Sequence, residues 1–187
     1  MRFVVIGAGM AGVLAGIRLR EAGYEDWVIY EKGDSVGGTW RENTYPGLSC
    51  DVPSHIYSYA FEPNPDWSHR FSPGAEIRAY FEGVARKYGV LPRIRFNAEV
   101  DRLVFEQGRW QLTLKSGQRD EADVVIAATG VLHHPMIPDL AGLDSFQGAC
   151  FHSARWDHSL PLDGKRIGVI GTGSTAIQIT GALVPRA

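Results

Sequence analysis

The sequence predicts an α/β protein with a parallel sheet, a small β-meander, and the start of a second, truncated unit of the same kind. Three observations lead to this prediction. A glycine-rich turn, 7–12, follows the apolar run 3–6 and opens a helical pattern. Residues 95–127 form alternating runs divided by Gly108 and by Ser116-Gly117. A second glycine-rich turn, 171–176, follows the apolar run 167–170.

The first 30 residues predict a strand, a turn, a helix and a second strand. Residues 2–6 predict a buried parallel strand, because positions 3–6 are continuously apolar. Residues 10–22 have apolar side chains at helical spacing, and Gly23 ends the helix. Residues 27–30 then form the next strand. This order gives the glycine triplet the structural context that a dinucleotide-binding turn requires.

The rest of the chain is divided by composition. Residues 33–73 form a long segment rich in Gly, Pro and Ser, and its many aromatic residues argue against disorder. Residues 75–88 predict a helix, and the runs 95–105, 109–114 and 122–127 predict a meander that ends in a buried strand. We therefore expect a nucleotide-binding domain over 1–130, a linker over 131–165 and the start of a second domain over 166–187.

Composition and charge exclude several classes of protein. A net charge of -2 provides no basic surface for nucleic acid or an anionic membrane. No segment approaches the roughly 20 apolar residues of a transmembrane helix. The two cysteines form no disulfide framework, so a reducing cytoplasm is the expected location.

The first glycine turn has a direct chemical interpretation. Gly7 permits the tight turn, Gly9 lets the backbone approach a pyrophosphate, and Gly12 allows the helix to pack on the strand. The positive end of the helix then faces the phosphates. Glu31 ends the second strand, where a carboxylate binds ribose hydroxyls and disfavours a 2′-phosphate. These residues predict FAD or NAD here rather than NADP; the alternative is a tight turn that binds nothing.

Three further stretches resemble a known family. Residues 37–51, GGTWRENTYPGLSCD, fit the pattern [AG]-G-x-W-x4-[FY]-P-[GM]-x3-D, and residues 146–157, FQGACFHSARWD, fit F-x-G-x3-H-x3-W-[PD]. Ala128-Thr129-Gly130 closes a strand. Together they resemble the Baeyer–Villiger monooxygenases, which are FAD- and NADPH-dependent flavoproteins, over the whole chain. Trp156 favours this branch over the related N- and S-oxidising enzymes, which have Tyr or Phe at that position.

The resemblance implies a Rossmann-like FAD domain, the beginning of an NADP-binding Rossmann unit, and a reaction. NADPH reduces FAD, O₂ forms a C4a-peroxyflavin, and a ketone becomes an ester or lactone. It also implies that Asp51 supports catalysis by orienting an arginine. The implied cofactor-binding residues are Gly7, Gly9, Ala11, Gly12, Glu31, Lys32, Gly38, Thr39, Trp40, Asp51, Tyr57, Val100, Thr129 and Gly130 for FAD, and Gly171, Thr172, Gly173, Ser174, Thr175 and Ala176 for NADP.

Several of these residues also have simpler interpretations. Asp51 could cap the following turn, Trp40 could pack in a core, and Tyr57 could be a buried loop aromatic. His152 fits a hydrogen-bonded linker role better than acid–base catalysis. The histidines lack the spacing of a metal site, so no metal is expected.

The family's catalytic arginine and its groups for the NADP 2′-phosphate match no residue of this sequence. We therefore expect the chain to be the N-terminal portion of a longer enzyme, inactive alone, with exposed apolar surface that favours self-association. Completion by another chain is the alternative. Two further functions remain open: an N- or S-oxygenating flavin monooxygenase or N-hydroxylase, and a non-catalytic FAD-binding module.

Overall fold

The structure is a computed structural model that describes residues 1–186, and these residues form two compact units. The first unit comprises residues 1–41 and 78–131, and the second comprises residues 42–77 and 132–186. The predicted division at residues 130 and 165 stays a prediction.

The first unit is built on a four-stranded parallel sheet. In chain order its strands are β1 (Phe3–Ile6), β2 (Trp27–Tyr30), β3 (Ile94–Arg95) and β7 (Val124–Ala127), and their order in the sheet is β3-β2-β1-β7. Helix α1 (Met10–Glu21) connects β1 to β2, as the apolar pattern predicts. The short helix α2 spans Thr39–Glu42, and helix α3 spans Gly74–Lys87.

A three-stranded antiparallel meander covers the sheet. It consists of β4 (Val100–Glu106), β5 (Arg109–Leu114) and β6 (Arg119–Ala122) in that order. Leu112 and Leu114 of the meander pack with Val4 and Val28 of the parallel sheet in one buried cluster. The predicted combination of a parallel sheet and a small meander is confirmed.

Two predicted strands are each divided between the two sheets. The run 95–105 contains the end of β3 and most of β4, because Asn97 between them adopts a left-handed φ of 53°. The run 122–127 ends β6 and forms β7, with Asp123 between them. Strand β7 is half-exposed rather than buried as we expected. Among the described residues it pairs only with β1, so it lies at an edge of the sheet.

A network of charged and hydroxyl groups joins the meander to the sheet. The Asp120 carboxylate accepts hydrogen bonds from the Arg2 guanidinium and from the Tyr30 hydroxyl, both at 2.7 Å. Burial, together with the bond to Asp120, raises the pKa of Tyr30 to about 12. Burial alone would raise the pKa of Asp120, but the bonds from Arg2 and Tyr30 lower it below its usual value.

The second unit contains helix α4 (Ser174–Leu183) and most of the long segment 33–73, which we call the aromatic segment. The buried hydroxyls of Ser54 and Ser72 lie 2.8 Å apart and hold two parts of that segment together. Tyr45 packs in a cluster with Ile179 and Leu183 of α4. The aromatic segment is therefore folded, as its composition predicts.

The apolar run before the second turn does not form the strand that a second unit of the same kind would have. Residues 166–170 are irregular, whereas helix α4 follows the turn as such a unit requires. Ile170 is 72% exposed, and Ile167 and Val169 are more than a third exposed. A strand needs a hydrogen-bonding neighbour, and no strand pairs with this run in the part of the chain that the structure describes. Among residues 1–186, no helix has the length and apolar character needed to cross a membrane.

Candidate functional site

The first glycine turn forms an open cradle of backbone groups at the start of α1. Gly7 has a φ of 99°, and a Cβ there would lie 2.5 Å from the Ala128 carbonyl oxygen. A Cβ at Gly12 would overlap the Gly7 carbonyl oxygen, so the turn closes on itself only with glycine at both positions. Gly16 is also close to the sheet, since a Cβ there would lie 3.1 Å from the Ile29 side chain. Gly12 thus shapes the turn at the end of β1, and Gly16 lets the next turn of the helix pack on β2.

The start of α1 is chemically suited to phosphate. Gly9 is its N-cap, no side chain caps it, and its first turn has no acidic residue. The first N–H groups of a helix have no partners within the helix, and the helix dipole makes this end positive. The turn therefore offers backbone donors, including that of Ala11, to an anionic group.

A second glycine pair brings α2 against this turn. Gly38 has a φ of 53°, and a Cβ there would lie 3.0 Å from the Gly9 Cα. The Gly37 N–H donates to the Ala8 carbonyl at 3.1 Å. Thr39 and Trp40, the first residues of α2, are thereby held beside the turn.

Glu31 lies at the same turn and is 4% exposed. Its Oε2 accepts the Ala8 N–H at 2.7 Å, and its Oε1 accepts the Gly33 N–H at 2.7 Å. Oε1 also accepts a hydrogen bond from Nη1 of Arg41 at 2.8 Å. A buried carboxylate is therefore fixed beside the phosphate turn, where we expected a ribose-binding group.

Arg41 is a candidate site residue that the sequence did not reveal. Its side chain is 10% exposed, and Nη1 also donates to the Ser35 carbonyl at 2.6 Å. A Cβ at Gly33 would overlap the Arg41 guanidinium, so glycine leaves room for this group. Arg41 occupies a variable position of the pattern 37–51, and only folding brings it to Glu31.

The remaining predicted residues of the first unit lie at differing distances from the turn. Thr129 and Gly130 follow β7, and a Cβ at Gly7 would lie 3.6 Å from the Thr129 Cα. Val100 begins β4 and packs against the core cluster. Two residues before it, the Ala98 N–H donates to the Glu31 carbonyl at 2.9 Å. Lys32 is exposed next to Glu31.

The second glycine turn resembles the first in its helix start. Gly171 has a φ of 137°, Gly173 is the N-cap of α4, and no side chain caps the helix. The Asp51 carboxylate lies at this start, where its Oδ2 accepts the Ser174 hydroxyl at 2.7 Å. Two predicted site residues are thus brought together within the second unit. Thr172 is exposed in the turn, and Ala176 is half-buried in the first turn of α4.

Gln178 fastens α4 to the aromatic segment, and sequence reasoning missed it. Its amide donates to the Ser49 carbonyl at 2.9 Å and accepts the Tyr45 hydroxyl at 3.0 Å. The Tyr45 hydroxyl also lies 3.2 Å from the Thr175 hydroxyl. A Cβ at Gly47 would lie 2.6 Å from the Gln178 carbonyl oxygen, so glycine permits this close approach.

The other candidates are accounted for by local structure. His152 Nδ1 accepts the Ala154 N–H at 3.1 Å and caps a short 3-10 helix, which fits the linker role. Burial raises the pKa of the Cys50 thiol, the opposite of what a reactive thiolate needs. Tyr57 is half-buried, and its N–H donates to the Pro53 carbonyl at 3.1 Å. Within residues 1–186, no three His, Cys, Asp or Glu side chains are grouped as a metal site.

Two glycine turns, each opening a helix without a side-chain cap, are the arrangement that dinucleotide-binding proteins use. The chain belongs to the pyridine nucleotide-disulphide oxidoreductase family, whose model matches residues 4–186.

The proteins that the chain resembles are monooxygenases. The chain is 57% identical over 175 residues to an uncharacterized monooxygenase of Mycobacterium tuberculosis, covering 94% of this chain and 35% of the relative. It is 50% identical over 188 residues to a Baeyer–Villiger monooxygenase of Streptomyces coelicolor, covering 100% of this chain and 36% of the relative. A crystal structure of OTEMO in complex with FAD and NADP matches with a TM-score of 0.90 at 35% identity, over 100% of this chain and 37% of that one.

The resemblance to Baeyer–Villiger monooxygenases is confirmed. The chain spans 35–36% of the length of these two curated relatives. Neither they nor the matched structure favour the N- or S-oxygenating enzyme or the non-catalytic module.

Proposed function

We propose that this chain supplies the FAD-binding part and the beginning of the NADP-binding part of a Baeyer–Villiger monooxygenase. The whole enzyme would use NADPH and O₂ to convert a ketone into an ester or lactone. One observation supports this most strongly: a chain 50% identical to a Baeyer–Villiger monooxygenase has two glycine turns, each opening an uncapped helix. A flavin and a nicotinamide nucleotide together require two such turns.

The residues of the first turn fit the adenosine diphosphate part of FAD. The helix start provides N–H donors and positive potential for the pyrophosphate. Gly9 and Gly38 present bare backbone here, and a Cβ at Gly38 would lie only 3.0 Å from the Gly9 Cα. The Glu31 carboxylate is the adjacent acceptor for ribose hydroxyls. In this proposal, Thr39 and Trp40 extend the site along the cofactor, and Lys32, Tyr57, Val100, Thr129 and Gly130 contribute to it.

The second turn fits a second pyrophosphate for the same physical reason. Gly171 to Ala176 would surround it, and the start of α4 would supply the donors. Asp51 would be a supporting residue of the reaction rather than the group that attacks substrate. Its hydrogen bond from Ser174 holds one carboxylate oxygen and leaves the other to orient a cation.

Bound flavin would supply the redox chemistry, by accepting reducing equivalents from NADPH and activating O₂. The described residues would position it. Glu31 would hold the ribose, and the first turn would hold the pyrophosphate. Asp51 would orient a cation near the reacting groups. Because the relatives are about three times longer, we assign turnover to the whole enzyme. We place that enzyme in the cytoplasm and expect the isolated chain to self-associate through its exposed apolar residues.

Two measurements test the proposal. The purified 187-residue protein is titrated with FAD and followed by quenching of flavin fluorescence; saturable binding is expected, and no binding would overturn the assignment. A full-length enzyme carrying this chain is then incubated with NADPH, O₂ and a cyclic ketone, or with a tertiary amine or sulfide. Lactone formation is expected. Formation of N-oxide or S-oxide alone would favour the alternative enzyme.

A further inference from the structure

Glu31 has fewer acceptor positions left than a ribose would need. An ionised carboxylate offers about four such positions, two on each oxygen. Gly33 and Arg41 occupy both positions of Oε1, and Ala8 occupies one of Oε2. One position therefore remains, whereas the adenosine ribose of FAD has two neighbouring hydroxyls to place.

Arg41 is held where it could take the second hydroxyl. Its guanidinium contacts Glu31 and Ser35 and lies over Gly33, where a side chain would overlap it. At 10% exposure it is nearly as buried as its partner. A guanidinium carries five N–H donors in a fixed plane, so it can serve several acceptors at once. A ribose hydroxyl can accept as well as donate.

We propose that Arg41 and Glu31 share the recognition of the adenosine ribose. One hydroxyl donates to Oε2 of Glu31, and its neighbour accepts a hydrogen bond from the Arg41 guanidinium. This inference rests on the proposed function, and it makes Arg41 a specificity-determining residue of the first cofactor site.

The ion pair also changes the charge of the site. Glu31 alone would present a negative charge to the diphosphate, whereas the pair with Arg41 is neutral. Arg41 therefore removes the repulsion between Glu31 and the diphosphate, and it also adds a hydrogen-bond donor to the site. Lysine keeps the positive charge but lacks the planar guanidinium, so Arg41→Lys separates the effect of the charge from that of the donor geometry.

The experiment compares FAD with its two analogues that lack the 2′- or the 3′-hydroxyl of the adenosine ribose. Dissociation constants are measured by flavin fluorescence quenching for the wild-type protein, Arg41→Met, Arg41→Lys and Glu31→Gln. Arg18→Met is the matched control, because Arg18 forms an exposed ion pair with Glu21 on α1. Urea unfolding of each variant reports its fold.

We expect the wild-type protein to bind each analogue about tenfold more weakly than FAD, because each lost hydrogen bond involves a charged group. In Arg41→Met, the discrimination against one analogue should disappear and that against the other should remain. Arg41→Lys should fold like the wild type and lose most of the same discrimination, which keeps the test valid if Arg41→Met is unstable. Glu31→Gln should weaken discrimination against the other hydroxyl.

Two results would overturn the inference alone. If Arg41→Met and Arg41→Lys weaken FAD and both analogues by equal factors, Arg41 only supports the fold. If Arg41→Met binds FAD more tightly, Arg41 competes with the ribose for Glu31. Failure of the wild-type protein to bind any of the three flavins would instead overturn the proposed function, and this inference with it.

Discussion

Substitution of Gly7 by alanine should damage both stability and FAD binding, for two separable reasons. Gly7 has a φ of 99°, a conformation that costs a residue with a side chain about 1–3 kcal/mol. The added Cβ would also lie 2.5 Å from the Ala128 carbonyl oxygen, about 0.5 Å inside the shortest contact that real Cβ atoms make. Because that oxygen belongs to the backbone, relief requires movement of the turn, at a cost of about 1–3 kcal/mol. The sum is about 2–6 kcal/mol.

Two control variants separate these contributions. Gly108 has a φ of 79° but nothing within 4 Å of its added Cβ, so Gly108→Ala should show the conformational cost alone. Gly83 lies in α3 with the same open space and no positive φ, so Gly83→Ala should stabilise the protein by up to about 1 kcal/mol.

Urea unfolding would give the three free energies, and fluorescence titration would give the FAD dissociation constants. Gly7→Ala should bind FAD at least tenfold more weakly, because the turn that positions the donors must move, whereas both controls should bind normally. Equal stability losses for Gly7→Ala and Gly108→Ala would show that the turn moves away from the Ala128 carbonyl oxygen at no cost in free energy. Unchanged FAD affinity in a destabilised Gly7→Ala would refute the role of this turn in the cofactor site.

Three further predictions concern the polar contacts within each unit. Asp120→Asn should destabilise the protein by about 1–3 kcal/mol near neutral pH, because it removes one of the two carboxylates that pair with the half-buried Arg2. Since the folded-state pKa of Asp120 is lowered, its contribution is present above the unfolded value of about 3.9 and lost as the pH falls through the folded value; unfolding curves of variant and wild type should therefore converge in acid, and a constant gap would contradict this. Tyr30→Phe should cost about 1 kcal/mol and remove from the ultraviolet titration one phenol with a pKa of about 12; a wild-type spectrum without that late phenol would contradict the hydrogen bond to Asp120. Gln178→Ala should destabilise the second unit by about 1–3 kcal/mol, because the Ser49 carbonyl loses the Gln178 amide and the Tyr45 hydroxyl keeps only its contact with Thr175. Hydrogen exchange of the α4 amides should quicken, and unchanged exchange would show that apolar packing alone holds the helix.

Local chemistry made the first site predictable. The turn, α1 and β2 are close in sequence, and backbone geometry alone requires glycine at positions 7 and 12. Glu31 was predicted to bind ribose because the end of a strand is a defined place in this unit, and that role stays a prediction. The family patterns likewise identified the class of enzyme, which the relatives confirm.

The missed features depend on contacts between distant or variable residues. Arg41 lies in the four-residue helix α2, which is too short to show a periodic pattern, and only the fold brings it to Glu31. Gln178 lies on a helix whose apolar spacing is evident, but its partner Ser49 is 129 residues away. The split of the run 95–105 depends on one left-handed residue, Asn97, which an alternating pattern does not reveal.

The contrast between α4 and the run before it explains how the second turn is held. A helix satisfies its own backbone, so α4 needs only an apolar surface to pack on, and Tyr45 and the neighbouring loop provide one. A strand cannot satisfy its backbone alone, and residues 166–170 remain without strand structure while their apolar side chains face solvent. Gln178 and Ser174 both contact the aromatic segment, so that segment helps to position the helix end that would meet a pyrophosphate. The aromatic segment therefore supports the second turn and also provides Asp51. This support needs close contact with α4, and glycine at position 47 permits that contact.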